Sequence, residues 1–116
     1  HPLHRPRARG IAEGLSGMAY GFVGTMRAKP DKRDDVVTIL LRDQSALADI
    51  GCRAYIVGVN EDQPDLIYVT EVWESKQAHD DSLQLESVKA AIREAMPMLT
   101  GEFSNQWFTI VGGLGS

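Results

Sequence analysis

The chain has 116 residues, of which 43% are hydrophobic and 24% are charged, and these proportions are typical of one soluble globular domain. The formal net charge is −4; three arginines against one glutamate give residues 1–17 a balance of +2, which leaves −6 for the rest. That acidic balance disfavours nucleic acid as a partner, because phosphate binding needs clustered Lys and Arg. No apolar run approaches the roughly 18 residues of a membrane span, and the lone Cys52 cannot form an intrachain disulfide, which favours a cytoplasmic protein.

Residues 1–17 differ in composition from the rest of the chain. They are rich in Pro, Arg and Gly, have neither helical nor strand periodicity, and contain no apolar core of the kind a signal peptide requires. We therefore predict an N-terminal arm over residues 1–17 that is foreign to the domain, such as a vector-encoded extension. The domain itself is predicted over residues 18–112, with a tail over residues 113–116.

Hydrophobic periodicity then divides the domain into alternating segments. Strands are predicted over residues 19–28, 52–60, 66–73 and 102–112. A helix is predicted between Pro30 and Gly51, another over about residues 76–84 after the N-cap Ser75, and a further helical stretch up to Gly101. The order of strand, helix, strand, strand, helices and strand predicts an α+β, ferredoxin-like split βαβ fold with helices on one face of an antiparallel sheet.

The strands carry apolar side chains on both faces of the predicted sheet. In the first strand Phe22 and Val23 point to opposite faces, and in the last strand Trp107 and Phe108 do so. A sheet with helices on one side only is expected to have a polar second face. Because the second face is apolar here, we predict that another sheet covers it in a homodimer.

Three stretches then resemble the antibiotic biosynthesis monooxygenase family. Residues 69–78, VTEVWESKQA, are similar to the family's junction between a strand and a Ser-capped helix. Residues 27–37 resemble the end of its first strand and the start of its first helix, and residues 51–73 resemble its central hairpin. The resemblance covers about residues 19–111 and implies a ferredoxin-like domain that pairs into a dimeric α+β barrel.

One branch of this family degrades haem with an Asn, a Trp and a haem-ligating His. Aligned on the junction at residues 69–78, those positions fall at or near Gly24, Ser82 and Ile92, so the constellation is absent and haem degradation is not expected. A haem held by His79 alone would still show as a Soret band when haemin is added.

A second branch oxidises phenolic or quinol polyketides with oxygen and without metal or flavin, and this chain resembles it more. The resemblance implies a Trp at the end of the third strand, a Tyr six residues on and an Arg about twenty beyond the Trp, and Trp73, His79 and Arg93 stand at those spacings. His79 replaces the Tyr, and Val69 replaces an Asn four residues before the Trp. An imidazole still transfers protons near neutral pH, whereas the lost amide changes how a substrate carbonyl could be held.

The resemblance implies a catalytic set of Trp73, His79 and Arg93 for a cofactor-independent monooxygenase. The substrate must be electron-rich, and the site must be dry and apolar with a base and a cation. His79 would be the base, Arg93 the cation for developing oxyanion or superoxide charge, and Trp73 the stacking wall. The predicted substrate-binding residues are Tyr20, Phe22, Met26 and Val69.

Each of these residues also has a plain structural explanation. Trp73 can be core, His79 a solvated helix residue, and Arg93 the partner of a neighbouring glutamate in a helix-surface ion pair. The alternative function is therefore a non-catalytic domain of the same fold that binds a small hydrophobic molecule or assembles. Convergence of the three residues on one cavity would favour the enzyme.

The sequence predicts neither a metal nor a cofactor. The His, Cys and carboxylate residues after residue 17 lack the ligand spacing of a zinc or non-haem iron site. The GLGS stretch at the end of the chain precedes no helix, so it is not a phosphate-binding loop. The predicted partners are a small aromatic substrate, molecular oxygen and a second copy of the chain.

Overall fold

The computed structural model describes residues 18–116, so the predicted arm over residues 1–17 lies outside the described residues. The strands are β1 (Tyr20–Ala28), β2 (Cys52–Asn60), β3 (Gln63–Trp73) and β4 (Leu99–Thr109). The helices are α1 (Arg33–Leu40), α2 (Gln44–Asp49), α3 (Lys76–Ser82) and α4 (Glu86–Ala95), and a 3₁₀ turn follows at Met96–Met98. None of the helices in residues 18–116 combines the length and the apolar character needed to cross a membrane.

The four strands form one antiparallel sheet in the order β2-β3-β1-β4. The central strands β1 and β3 are neighbours although two helices and β2 separate them along the chain, which is the split βαβ connection. Buried residues of the helices pack against β1 and β3. The predicted α+β, ferredoxin-like fold is thus confirmed.

The helical region after β1 differs from the prediction. The prediction of one helix between Pro30 and Gly51 is wrong, because the chain forms α1 and α2 with a turn between them. Asp43 in that turn has φ +54°, a left-handed conformation that ends an α-helix and that Asp adopts more readily than most residues. Gly51, which follows α2, has φ +108°, a left-handed conformation that is common for glycine just after a helix.

The hairpin between β2 and β3 is tighter than predicted. β3 begins at Gln63 rather than at residue 66, so the link is residues 61–62, and the Asp62 N–H donates to Asn60 Oδ1 at 2.9 Å. Pro64 is tolerated because it pairs with neither neighbouring strand: β1 pairs with β3 only from Leu66 onwards, and the register with β2 is interrupted between Gln63 and Ile67.

The last strand also begins earlier than predicted. The helical stretch predicted up to Gly101 is shorter in the structure. Its helix α4 ends at Ala95, and Pro97 lies in the 3₁₀ turn that leads into β4. β4 then runs from Leu99 to Thr109 rather than over residues 102–112. A β-bulge between Met26 and Ala28 accommodates the start of this pairing.

The core lies between the sheet and the helices in two clusters. In one, Val36 and Ile39 of α1 pack against Ile67 and Val69 of β3, and both Val36 and Ile67 are fully buried. In the other, which includes Tyr20 and Leu47, Trp73 is enclosed near the start of α3. The second cluster borders the candidate site.

The register of the sheet assigns each strand residue to a face. Residues directly opposite one another share a face, so Ile56, Thr70 and Val23 lie together on the face away from the helices. On this open face Val23, Ile56 and Phe108 are 36%, 60% and 45% exposed. Apolar side chains therefore lie on both faces, as the alternation predicts.

Candidate functional site

An apolar cavity of about 350 Å³ lies between the helix-covered face of the sheet and the helices. Its volume is in the range of small-molecule sites. The sheet provides the floor and α4 provides much of the wall, since the periodic apolar face of that helix points inward. Lining residues include Phe22, Gly24, Met26, Tyr55, Val69, Glu71, Trp73, His79, Val88, Ala91, Ile92, Ala95, Phe103 and Asn105.

Trp73 forms one end of this cavity. It is the last residue of β3 and is 1% exposed. Its indole N–H donates a 2.8 Å hydrogen bond to Glu71 Oε1, which satisfies the buried donor and fixes the ring plane. Trp73 therefore belongs to the core and to the cavity wall at once, and the two interpretations of it in the sequence are compatible.

His79 lies on α3, whose start is fixed by a side-chain cap. Ser75 accepts a hydrogen bond from the Ala78 N–H at 3.0 Å, as its N-cap assignment predicts. That cap holds the first turn of α3 against the end of β3 and brings the His79 imidazole to the cavity. The side chain of His79 is 17% exposed, so it is not the solvated surface residue of the structural explanation.

Three aromatic rings surround the His79 imidazole. The ring centroid of Tyr20 is 5.1 Å away, that of Phe22 is 5.7 Å away in a stacked arrangement, and that of Trp73 is 5.8 Å away edge-on. These distances are in the range of favourable aromatic contacts. We refer to Tyr20, Phe22, Trp73 and His79 as the aromatic cluster.

A carboxylate orients the imidazole from the solvent side. Asp80 Oδ1 lies 3.0 Å from His79 Nδ1, and its Oδ2 accepts from the Lys76 ammonium at 2.8 Å. The hydrogen bonds from Lys76 and then from His79 hold the pKa of Asp80 below its usual value. Asp80 therefore stays ionised and fixes the orientation of the neighbouring imidazole through Nδ1.

Glu71 is the carboxylate of the cavity floor. It is partly buried on β3 between Phe22 of β1 and Tyr55 of β2. Burial raises the pKa of Glu71, although the Trp73 N–H and the nearby His79 partly offset this. Burial also raises the pKa of the Tyr55 hydroxyl, and the Glu71 charge adds to that shift.

Only two of the three predicted catalytic residues line the cavity. Trp73 and His79 meet at the cavity, whereas Arg93 is exposed on α4 and is not a lining residue. Arg42 in the turn after α1 is the cationic lining residue, and it donates to Glu94 Oε2 at 2.6 Å. The assignment of the cation to Arg93 therefore has no support from the cavity geometry.

The four predicted substrate-binding residues lie at or next to the cavity. Phe22, Met26 and Val69 line it directly. Tyr20 is not a lining residue, but its ring centroid lies 5.1 Å from that of His79, which lines the cavity. Burial raises the pKa of the Tyr20 hydroxyl, so this phenol remains a hydrogen-bond donor at neutral pH.

The cavity also contains an amide, that of Asn105, which the sequence did not predict. Asn105 of β4 lies opposite Gly24 of β1, which in turn lies opposite Val69, so the three residues form a row across the floor. A Cβ at Gly24 would come within 2.8 Å of the Ser104 carbonyl oxygen and 3.1 Å of Asn105 Oδ1. The absent side chain of Gly24 thus leaves room for the Asn105 amide, and only cross-strand pairing could have revealed this.

Metal-ligand chemistry is not represented in the described part of the chain. Within residues 18–116, His, Cys, Asp and Glu side chains form no cluster of three or more that could hold a metal ion. What the cavity does offer is an apolar floor, an imidazole flanked by aromatic rings, and a partly buried carboxylate. That combination is suited to binding an aromatic compound and moving a proton.

Comparison with known proteins gives a family and a fold. A family model described as antibiotic biosynthesis monooxygenase matches residues 19–94. No protein with a curated description matches the chain. A solved structure from Chloroflexus aurantiacus J-10-fl, described as a putative antibiotic biosynthesis monooxygenase, is 38% identical with a TM-score of 0.71, and the match covers 82% of this chain and 95% of that one.

Two more distant structures carry the same description. The one from Caulobacter crescentus CB15 is 22% identical with a TM-score of 0.72, over 88% of this chain and 99% of that one. The one from Nitrosomonas europaea is 9% identical with a TM-score of 0.74, over 82% and 92%. At these identities the similarity concerns the fold alone.

Proposed function

Because the chain belongs to the antibiotic biosynthesis monooxygenase family, we propose that its cavity oxidises a small aromatic hydroquinone or polyketide-like compound with molecular oxygen and without a cofactor. The observation that carries this proposal is the aromatic cluster, in which Tyr20, Phe22 and Trp73 surround the imidazole of His79 at an apolar cavity. Such a site stacks a flat ring and keeps water away from it.

The reaction needs no external reductant because the substrate supplies the electrons. In a naphthol, the hydroxyl and one ring C–H lose their hydrogens, one atom of O₂ becomes a ring carbonyl oxygen, and the other atom leaves as water. The protein has to accept the phenolic proton and hold the ring while the phenolate passes an electron to O₂.

His79 is the proton acceptor in this proposal. Its imidazole faces the aromatic rings, and Asp80, which lies 3.0 Å from Nδ1, stabilises the imidazolium that forms. Trp73 serves as the stacking wall, and Phe22, Met26 and Val69 form the apolar floor. Arg93 remains one candidate for the cation that stabilises oxyanion or superoxide charge. Arg42 is the other candidate, because it lines the cavity.

A non-catalytic binding domain is the second candidate function. The exposed position of Arg93, away from Trp73 and His79, favours it. If neither Arg93 nor Arg42 stabilises the ring during the reaction, developing superoxide or oxyanion charge lacks a counter-charge. The same cavity would then bind an aromatic molecule and release it unchanged.

We further propose that the chain forms a homodimer through the open face of the sheet. Val23, Ile56 and Phe108 are exposed there, and no helix of the described chain covers them. The helix-covered face already has its own core, so a second sheet on the open face leaves both cavities on the outside of the resulting barrel.

Oxygen uptake by metal-stripped protein with a panel of hydroquinones, naphthols and anthrones tests the activity. We expect uptake above the spontaneous rate, and a loss of roughly 100-fold or more in His79→Ala, the usual effect of removing a general base. Gln77→Ala is the matched control, because Gln77 is exposed on the same helix and is not a lining residue. Unchanged uptake in His79→Ala would exclude it as the base.

Two further variants assign the cation. If Arg93→Ala lowers the uptake and Arg42→Ala does not, the sequence prediction holds despite the geometry of the cavity. The reverse result assigns the cation to Arg42. If no substrate is oxidised by the unaltered protein, the binding function replaces the enzymatic one.

A further inference from the structure

Glu71 is a charged group with an unusual position: it lies on the floor of an apolar cavity rather than at its rim. It shares the inward face of β3 with Ile67, Val69 and Trp73, and its neighbours across the sheet are Phe22 and Tyr55. A carboxylate is a costly group to place among such side chains unless it has partners.

The carboxylate has only part of the hydrogen bonding that it can accept. Oε1 takes the indole N–H of Trp73 at 2.8 Å, and this is the single side-chain hydrogen bond to Glu71 among the described residues. None of the ion pairs within residues 18–116 includes Glu71. A carboxylate can accept about four hydrogen bonds, so acceptor capacity remains for a molecule in the cavity.

We propose that Glu71 is the specificity-determining residue of the cavity, which accepts a hydrogen bond from a ligand hydroxyl and rejects aromatic anions. The inference deepens the proposed function, on which it rests only for the aromatic nature of the ligand. A neutral hydroquinone places its ring on Phe22 and donates one O–H to the Glu71 carboxylate, which leaves its second O–H for His79. An aromatic carboxylate of similar size would bring a second negative charge to the same low-dielectric site, where like charges repel strongly.

The hydrogen bond from Trp73 to Glu71 fixes the direction in which the carboxylate can accept a ligand hydroxyl. The indole N–H fixes one oxygen of the carboxylate, so the other is held in a defined direction relative to the Trp73 ring. A ligand that stacks against the cavity wall therefore meets the acceptor at one edge of its ring. The chemical class selected is a neutral, flat aromatic compound with a hydroxyl group at its edge.

Calorimetric titration of the full chain with three probes tests this assignment near neutral pH. The probes are naphthol, its methyl ether and naphthoate, which share one ring system and differ in donor capacity and charge. We expect naphthol to bind roughly 10- to 100-fold more tightly than the methyl ether, as expected for a hydrogen bond to a charged group. Naphthoate is expected to bind most weakly.

The variant Glu71→Gln keeps an oxygen for the Trp73 N–H and removes the charge. It is expected to raise naphthoate affinity by about tenfold or more while leaving the methyl ether within about threefold, since only the charge repulsion is lost. Glu74→Gln is the matched control, because Glu74 is exposed three residues further along and is not a lining residue. It should change none of the three affinities.

Each outcome decides the proposal. If naphthoate binds the unaltered protein as well as naphthol does, or if Glu71→Gln leaves the ratio of their affinities unchanged, Glu71 is not the selector. If none of the probes binds, the inference falls together with the cavity as a ligand site. If the affinities follow the expected order but no oxygen is consumed, the proposed oxidation fails while the role of Glu71 in selection stands.

Discussion

Trp73 and Trp107 lie on the same face of the same sheet, yet 1% of Trp73 is exposed against 64% of Trp107. Trp73 is opposite Tyr20 and Trp107 is opposite Phe22, so one strand separates them. Residues of α2 and α3 enclose Trp73, whereas Trp107 lies on β4 at the edge of the sheet and belongs to neither core cluster. Apolar alternation therefore identifies a strand and its faces, but burial depends on what packs against them.

A second difference separates the Trp73 end of the molecule from the open face of the sheet, through which we propose that the chain dimerises. The Trp73 end contains the aromatic cluster, the capped start of α3 and the carboxylate of Glu71. Ten of the eleven residues of β4 are exposed, and the open face carries further apolar side chains. In our account the first region is assembled by one chain, and the open face is buried by dimerisation.

The largest expected effect is the loss of Trp73. Trp73→Ala should lower the free energy of unfolding by about 3–5 kcal/mol, because it removes a fully buried aromatic side chain and leaves Glu71 without its donor. Chemical denaturation at a protein concentration that keeps the chain monomeric measures this. Trp107→Ala should cost less than about 1 kcal/mol under the same conditions. Equal losses of unfolding free energy in the two variants would contradict the different roles assigned to Trp73 and Trp107.

The next effect concerns the open face. Ile56→Glu should weaken dimerisation by roughly 2 kcal/mol or more, near 30-fold in Kd, because it places a charge in the proposed interface at a residue that is 60% exposed in one chain. Sedimentation velocity over a range of concentrations measures the change. Leu41→Glu is the control, since Leu41 is 49% exposed in the turn after α1, away from the sheet. A chain that remains monomeric at every concentration would contradict the dimer.

A smaller effect is expected at the start of α3. Ser75→Ala should cost about 1 kcal/mol of stability, because the Ala78 N–H loses its acceptor. Since this cap positions the helix that carries His79, turnover in the proposed oxidation should fall more than ligand affinity does. Ser75→Asp, which restores an N-cap acceptor, should recover both stability and turnover. If Ser75→Ala leaves the melting temperature unchanged, the tertiary contacts of α3 hold the helix in place without the cap.

The smallest expected effect has the opposite sign. Because the pKa of Glu71 in the folded protein is raised above the ordinary 4.5, the folded chain binds more protons than the unfolded chain between the two values. The protonated Glu71 therefore contributes its full stabilisation below about pH 4.5. This stabilisation is lost as the pH rises through the pKa that Glu71 has in the folded chain. Glu71→Gln lacks this loss and should melt slightly higher than the unaltered protein at neutral pH, with the difference shrinking in acid. A lower melting temperature at neutral pH would show that the carboxylate stabilises the fold.

Much of the fold follows from local signals in the sequence. The alternation in β1 and β3, the turn residues before β3 and the Ser75 cap are all local, so the element order was predictable. The break between α1 and α2 was not, because the apolar period continues through it and only the left-handed Asp43 reveals the turn. The early start of β4 likewise depends on its pairing with β1, which lies about seventy residues away along the chain.

The candidate site was predictable where one strand or one helical turn fixed it. Trp73 and His79 lie at the two ends of a short junction, so their spacing carried over from the family to this chain. Arg93 is different, because Ala91, Ile92 and Ala95 form the inward face of α4 and the helical period turns the residue between them outward. Glu71 shares parity with Trp73, so its inward direction was visible in the sequence, but its position in a cavity required the helices to be placed.

The most direct test of the account is the origin of the oxygen in the product. Metal-stripped protein would be supplied with naphthol under isotopically labelled O₂, and the quinone would be analysed by mass spectrometry beside His79→Ala. We expect one labelled atom per quinone, formed faster than without protein and at close to the spontaneous rate in the variant. Quinone formation that the protein does not accelerate, or that His79→Ala accelerates equally, would contradict an oxygenase built on the aromatic cluster.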